Sequence, residues 1–259
     1  MVGNKPAAAG VIIYGRGGAC FASTKGEAMG KLWILMLLCE VVRLRYVARA
    51  ALFSVLILAA VGAATADVES PSDLSSVGSQ VRETSLGDLV ADAFKATAGT
   101  TAAIFPAGSL REITIPAGTV RSEDVVKCLQ YPNDKIAIIE ITGDQLIRAL
   151  ERSVIIYPQK SMGFLQVSGI VFTFDPKAER GSRVVSATIG GERIVKDSKY
   201  RIGTTEPLAS GAYGYFTIWK KDQIKEVKEK TASQAVKNFL SRRDSVDYQV
   251  LNRISLKQE

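Results

Sequence analysis

No histidine occurs anywhere in the 259 residues, and that decides much of what the chain can do chemically. Imidazole is the side chain that changes charge near neutral pH, and it is the commonest general base and metal ligand. Without it neither a Ser-His nor a Cys-His nucleophile pair can be assembled. The three cysteines are Cys20, Cys39 and Cys128. Cys128 stands in the apolar stretch Val125-Val126-Lys127-Cys128-Leu129 and reads as a small buried hydrophobe. A metal or redox role would need partners that are missing. Asp88 and Asp92 lie one helical turn apart, but no sequence signal draws them into a cleft. Gly15, Gly17 and Gly18 are followed by no Gly-Lys-Ser/Thr and lie in no strand–loop–helix pattern, so they do not make a phosphate loop. The run Lys220–Lys230, KKDQIKEVKEK, pairs Asp222 with Lys225 and Glu226 with Lys230 at helical spacing. It reads as a solvated helix face or loop. No catalytic residue and no metal ligand is assigned.

Charge is unevenly spread. The formal net charge is +7, and residues 1–66 carry +5 of it through Lys5, Arg16, Lys25, Lys31, Arg43, Arg45 and Arg49 against Glu27 and Glu40. The remainder is close to neutral, so nucleic acid is not an expected partner; such partners need a basic stripe on the folded domain. Arg43, Arg45 and Arg49 precede an apolar run from Ala50 to Val61, and Ala64-Thr65-Ala66 offers a small-x-small pattern before Asp67. That is the layout of a signal peptide over residues 41–66. A retained membrane anchor is the alternative, although Ala50–Ala66 has only 17 residues, short for a spanning helix. Residues 1–40 hold a second apolar run, LWILMLL, and fit no targeting pattern; they read as a start-site extension or a disordered segment. The protein is expected to be exported, periplasmic or extracellular, with a membrane contact only through an uncleaved leader. Cleavage after Ala66 would leave 193 residues, enough for one sizeable core.

Asp67–Ser79 is rich in Ser and Asp and reads as a linker, with one domain over residues 80–259. Ser85 is placed to cap a helix whose apolar positions are Leu86, Leu89, Val90, Ala93, Phe94 and Thr97, and Gly99 stops it. Thr101–Phe105 reads as a short strand ended by Pro106-Ala107-Gly108. Ile113 and Ile115 alternate before the turn at Pro116, and Ser122–Leu129 reads as a short helix. Lys135–Thr142 is β-branched and strand-like. Asp144–Val154 has Leu146, Ile147, Leu150 and Val154 on one helical face. Phe164–Val167 and Ile170–Phe174 are strands around Ser168-Gly169. Arg183–Ile189 and Glu192–Val195 flank Gly190-Gly191, a hairpin signal. Tyr200–Thr204 is a strand, Ser233–Ser241 a helix and Tyr248–Leu256 a closing strand. Interleaved helices and hairpins predict an α+β fold with mostly antiparallel pairing.

Five motifs run in order between Gln80 and Phe216: ETSLGDLVADA, PAGSLREITIPAG, FLQVSGIVFTFDP, GSRVVSATIGGERI and TTEPLASGAYGY. Together they resemble the C-terminal domain of the 5'-nucleotidase family. The resemblance implies antiparallel sheets sandwiched between helices. It implies a domain that grips the nucleoside end of a nucleotide between two aromatic rings, with arginines and an Asn-containing glycine turn on the phosphate and sugar side. Stacking of a base on an aromatic face contributes about 1–3 kcal/mol and tolerates any base, and guanidinium forks suit phosphate oxygens. The family's two metal ions and its hydrolytic chemistry belong to an N-terminal domain that is not among these residues, so no cofactor is expected on this chain.

Carried over position by position, the family turn resembling NGGGIR corresponds to Pro106–Arg111, PAGSLR. Arg111 matches the motif arginine and Gly108 is the surviving glycine, while Pro106 stands at the asparagine position and offers no side-chain hydrogen bond. LQYPN, Leu129–Asn133, corresponds to LPFGN and puts Tyr131 at the first ring position. In TTEPLASGAYGY, Tyr215 matches the second ring; Thr205 and Glu206 replace Asn and Asp, and Ala212 and Tyr213 replace the Gly-Asp of GGDG. The arginine expected ahead of the first helix falls at Gln80, with Arg82 two residues on. The expected ligand-contacting set is therefore Tyr131, Tyr215, Arg111, Arg82 and Gly108. In purely structural terms the tyrosines would be ordinary packing aromatics, and Arg111 a surface cation beside Glu112 or Glu123.

Three functional readings follow. The first is a nucleotide- or nucleoside-recognition domain in nucleotide catabolism, partnered by a separately encoded metallophosphatase domain. The second is a divergent member of the hydrolase family, inert by itself. The third is a non-catalytic structural or interaction module that kept the fold and lost the ligand, which Pro106 and Tyr213 favour.

Overall fold

The computed structural model describes residues 67–249 and 252–258, all within one compact unit spanning 64–259. The expected signal peptide and the segment before it lie outside the described residues.

The core is a five-stranded sheet built from β3 (Ala102–Pro106), β6 (Lys135–Thr142), β7 (Leu165–Ser168), β11 (Lys199–Thr205) and β12 (Ile224–Thr231), in the order β12-β6-β11-β3-β7. All its pairings are antiparallel except β11 with β3. Strand periodicity sends alternate residues to opposite faces, and two cores result. Ala103, Phe105, Ile136 and Ile138 face one; Ala102, Ile104, Ala137, Ile139 and Ile141 face the other.

The first core is covered by α1 (Ser85–Ala98) and α5 (Ala232–Leu240). Leu86, Leu89, Val90 and Phe94 of α1 are fully buried, each stabilising by about 1.5–3 kcal/mol. Thr84, one residue before the expected cap, accepts the Gly87 N–H, and Gly99 closes the helix at φ 68°, the left-handed cap that glycine adopts at least cost. The short α2 (Ser122–Val126) precedes Cys128, which is buried in the same core. Burial alone pushes its thiol up to about 12, as the packing reading of that residue requires.

The second core is covered by α3 (Gly143–Val154), by the one-turn α4 (Glu206–Ala209), and by a four-stranded sheet. That sheet has β8 (Ile170–Phe174), β9 (Val184–Ile189), β10 (Glu192–Arg193) and β13 (Ile254–Leu256) in the order β10-β9-β8-β13. Thr142 and Gln145 form a reciprocal capping box at the start of α3. Gly190 and Gly191 turn the β9–β10 hairpin at positive φ, as that dipeptide predicts. The α+β architecture, with sheets layered against helices, agrees with the expected fold class.

Three local expectations need correction. Asp67–Ser79 is not a linker: β1 (Asp67–Ser70) pairs with β5 (Gly118–Arg121), and β2 (Leu74–Ser75) pairs with β4 (Thr114–Ile115). Val68 and Leu74 enter the first core, so apolar burial at alternate positions overrides the polar composition. The charged run after Lys220 is not helical. Its residues from Ile224 form β12, an edge strand on β6, where exposed lysines and glutamates discourage pairing with another chain. The closing strand is shorter than expected, Ile254–Leu256, and joins β8 in parallel.

Its anchor is a buried cluster of ionisable groups. The Arg253 guanidinium donates to both carboxylate oxygens of Asp92, at 2.8 and 3.0 Å, and lies 3.4 Å from Asp88. Tyr248 and Ser168 hydroxyls also donate to Asp92. Glu83 Oε2 accepts the backbone N–H groups of Arg253 and Ile254. Glu83 Oε1 and Asp88 Oδ1 are buried with no N–H or O–H donor. Burial first, then the bond to Glu83, pushes Asp88 up to about 9. Burial also works to raise Asp92, but the hydrogen bonds from Arg253 outweigh it and hold that carboxyl below its ordinary value.

Candidate functional site

Strand directions bring one set of loops to one end of the central sheet. β3 and β11 are parallel, so the segments after them, from Ala107 and from Glu206, leave at the same edge. β6 and β7 run antiparallel to these neighbours, so the segments that enter them, around Tyr131 and around Met162, arrive there too. This end of a sheet with parallel strands is where ligands commonly sit.

The turn after β3 is a single 3-10 turn, Ala107–Ser109. Its amides are committed internally: Ala107 N–H donates to Phe164 O and Gly108 N–H to Met162 O, both at 2.8 Å. Leu110 N–H donates to Ala107 O at 3.0 Å and Arg111 N–H to Cys128 O at 2.7 Å. The turn is thereby stitched to the Met162 loop on one side and to the Tyr131 loop on the other, which also returns Gln130 N–H to Ser109 O at 2.9 Å. Pro106 ends the strand with no side-chain hydrogen bond to offer.

Over Gly108 lies Tyr213. A Cβ at Gly108 would sit 2.8 Å from the Tyr213 ring and 2.9 Å from Met162 Cβ, so glycine is required there by the side chains packed on it. Tyr213 is the one non-glycine residue with positive φ among those described, at 55°. That conformation costs of order 1–3 kcal/mol and persists only where the surroundings hold it. Gly211 and Gly214, at φ 95° and 84°, let the chain reverse on both sides. Arg152 of α3 donates to the Tyr213 carbonyl at 3.0 Å. The ring is half-buried; burial, then the nearby Tyr131 and Asp134, raises its phenol above the ordinary value. Asp134 is itself raised, by burial and by the proximity of Glu206.

The expected contact residues separate. Tyr131 is exposed on this end, at 48%, and Gly108 lies directly beneath the Tyr213 ring. Arg111 is exposed and gives its Nε–H to Gln130 Oε1 at 2.9 Å. Arg82 donates to Val77 O at 3.1 Å and packs on Gly78. Its loop is held by Gln166, whose amide nitrogen reaches Ser79 O and Arg82 O. Tyr215 is a correction. Its side chain is fully buried, its hydroxyl donates to Gly163 O at 2.7 Å, and its ring stacks on Trp219 at 4.9 Å. It belongs to the second core and does not face Tyr131 across a cleft. Two residues earlier, Tyr213 points into the loop cluster instead. Spacing alone does not separate the two, but a tyrosine between glycines in Gly211-Ala212-Tyr213-Gly214 was the available signal. Phe216, 69% exposed, adds a further ring beside this turn.

Among the described residues no group of three His, Cys, Asp or Glu side chains is disposed to hold a metal ion.

Similarity to known proteins bears on this geometry. The trifunctional nucleotide phosphoesterase protein YfkN of Bacillus subtilis is 29% identical over 145 residues, covering 52% of this chain and 10% of that protein. An apyrase from Aedes albopictus is 27% identical over 193 residues, 67% of this chain and 32% of the apyrase. Among solved structures, the 5'-nucleotidase precursor from Thermus thermophilus superposes with a TM-score of 0.66 at 25% identity, over 83% of this chain and 44% of that one. The chain thus spans less than half the length of each of these proteins. The family model for the 5'-nucleotidase C-terminal domain matches residues 60–221, and with the fold and loop arrangement in place the chain belongs to the 5'-nucleotidase C-terminal domain family.

Proposed function

We propose that this domain is the recognition half of a 5'-nucleotidase-type phosphoester hydrolase. It holds the nucleoside end of a nucleotide outside the cytoplasm, while a metallophosphatase domain elsewhere cleaves the ester. The observation that carries the reading is the exposed ring of Tyr131 beside a strained, glycine-flanked Tyr213 at the loop end of the sheet. An exposed ring with no core to fill, beside a turn held in a costly conformation, suits stacking on a planar ligand. Hydrolysis is assigned to another domain because no histidine is present and no metal-ligating cluster occurs among the described residues.

Titration calorimetry of the full chain with adenosine, AMP and uridine nucleotides tests the recognition. Heat of binding at millimolar concentration or below, lost in Tyr131→Ala, is expected; no heat from any of them overturns it. Phosphate release from AMP with Mn, Co, Zn or Mg present is expected to be nil. Turnover that survives repurification and vanishes in a point variant of this domain overturns the division of labour.

A second reading has one observation in its favour. Tyr213 fills the space over Gly108, as it would in an interaction module that no longer takes a ligand there. Absence of nucleoside binding in every variant leaves that reading standing.

A further inference from the structure

One side of α3 is given over to the strained turn. Gln145, Arg148 and Arg152 stand at i, i+3 and i+7, a spacing that lines them up along a helix. Gln145 donates to Ile218 O at 2.7 Å, Arg148 to Thr217 O at 3.0 Å and Arg152 to Tyr213 O at 3.0 Å. Neither arginine has a carboxylate partner among the described residues, so both guanidinium groups are directed at main-chain carbonyls of one turn. Bonds from a charged donor are the stronger kind. The turn is shaped to receive them. A Cβ at Gly214 would collide with the Arg152 guanidinium, and the φ of Gly214 is itself 84°. On its other side α3 buries Leu146, Ala149 and Leu150 in the second core. The three donors therefore project from a helix that the core holds still.

From this arrangement we infer that Arg152 is a positioning residue: from α3 it holds Tyr213 at positive φ with its ring over Gly108, while Arg148 and Gln145 fix the far end of the turn. A strained residue persists only where its surroundings over-determine it. The bond to the Tyr213 carbonyl restrains the peptide that joins Tyr213 to Gly214, both at positive φ. Arg152 acts on the loop end through this turn. The consequence for ligand binding rests on the recognition reading above; the clamp itself does not.

The test compares the full chain with Arg152→Ala, Arg152→Lys, Tyr213→Gly and the double variant Arg152→Ala with Tyr213→Gly. Amide hydrogen exchange reads the turn at Phe216, Ile218 and Trp219, whose N–H groups bond to Gly211 O and Tyr215 O. Arg152→Ala is expected to speed exchange there roughly tenfold while α1 is unchanged. Arg152→Lys keeps the charge and a donor and should stay within about threefold of the unmodified chain. Glycine adopts positive φ without strain, so in the Tyr213→Gly background the loss of Arg152 should add about threefold or less. Calorimetry with adenosine reads the site: Arg152→Ala should weaken binding roughly tenfold and Arg152→Lys should largely restore it. Unchanged exchange at the turn in Arg152→Ala overturns the clamp. Equal acceleration in α1 and the turn makes Arg152 a general stability residue and overturns the inference. Faster exchange at the turn with adenosine affinity unmoved overturns the positioning role. No adenosine binding to the unmodified chain overturns the recognition reading, and exchange alone then decides the clamp.

Discussion

The Tyr213 loops and the Arg253 cluster use polar side chains and a tyrosine in opposite ways. Around Arg253 the charges are buried and matched: Asp92 receives two guanidinium bonds and two hydroxyls, and Glu83 takes backbone amides. The bonds of Arg253 and Ile254 tie the start of β13 to α1 and to the segment before it, so the cluster is a fastening. Around Tyr213 the backbone is in a costly conformation, the ring is half-buried and Tyr131 and Phe216 are open to solvent. Tyr131 and Phe216 fill no core, whereas the Tyr213 ring packs over Gly108 and against the second core. The contrast teaches that a gathering of ionisable groups is weak evidence of function when every charge has a structural partner. Exposed rings gathered around a strained turn are the better pointer.

The largest expected effect would break the fastening. Arg253→Ala leaves Asp92 buried without its counter-charge and is expected to destabilise the domain by about 3–5 kcal/mol, measured by urea denaturation. A loss below about 1 kcal/mol, the range of an exposed ion pair, would show that the cluster is not what holds β13.

Next is the proton on Asp88. Its folded pKa of about 9 lies well above the ordinary aspartate value near 4. The folded chain therefore binds this proton more tightly than the unfolded chain. The resulting stability is full below about pH 4 and is lost as pH rises toward 9, at a slope of at most about 1.4 kcal/mol per pH unit. Asp88→Asn carries no such proton. The stability of the unmodified chain relative to this variant should fall steadily between about pH 5 and pH 9 in denaturant titrations. A difference that is flat with pH would remove the proton from Asp88.

Tyr215→Phe separates the two tyrosines that the motif places side by side. It leaves the Gly163 carbonyl unpaired in the core, at an expected cost of about 1–3 kcal/mol, with no change in nucleoside affinity at the concentrations where the variant is folded. A selective loss of affinity with stability intact would return Tyr215 to the ligand site.

The smallest stability effect belongs to Tyr131→Ala, within about 0.5 kcal/mol because the side chain is exposed. Nucleoside binding should disappear in the same variant. If stability falls by more than about 1 kcal/mol, beyond what a surface substitution costs, Tyr131 is part of the packing and the contrast between the two regions weakens.

Much of the fold was legible in the sequence because it is written in local periodicity. The apolar spacing from Leu86 to Phe94, the stop at Gly99, the β-branched run in β6 and the Gly190-Gly191 turn each carry their own structural instruction within a few residues. The misreadings fall where a partner strand decides. KKDQIKEVKEK satisfies helical charge spacing, yet β6 offers an open edge, and an edge strand accepts charged residues that a core strand would refuse. Asp67–Ser79 looks like a linker until β5 and β4 supply the pairing that its own polar composition does not announce.

For the candidate site, the family motif marks Gly108, Arg111 and Tyr131, and the strand directions bring their short loops to one end of the sheet. That Tyr213 faces the loop cluster and Tyr215 the core is a matter of backbone handedness. Positive φ at Gly211, Tyr213 and Gly214 rotates consecutive side chains away from the alternation a strand would impose. The union of Glu83, Asp88 and Asp92 with Arg253 is equally a product of tertiary structure. The acids and the arginine are more than 150 residues apart in the chain, and only the parallel docking of β13 on β8 brings their charges within hydrogen-bonding distance.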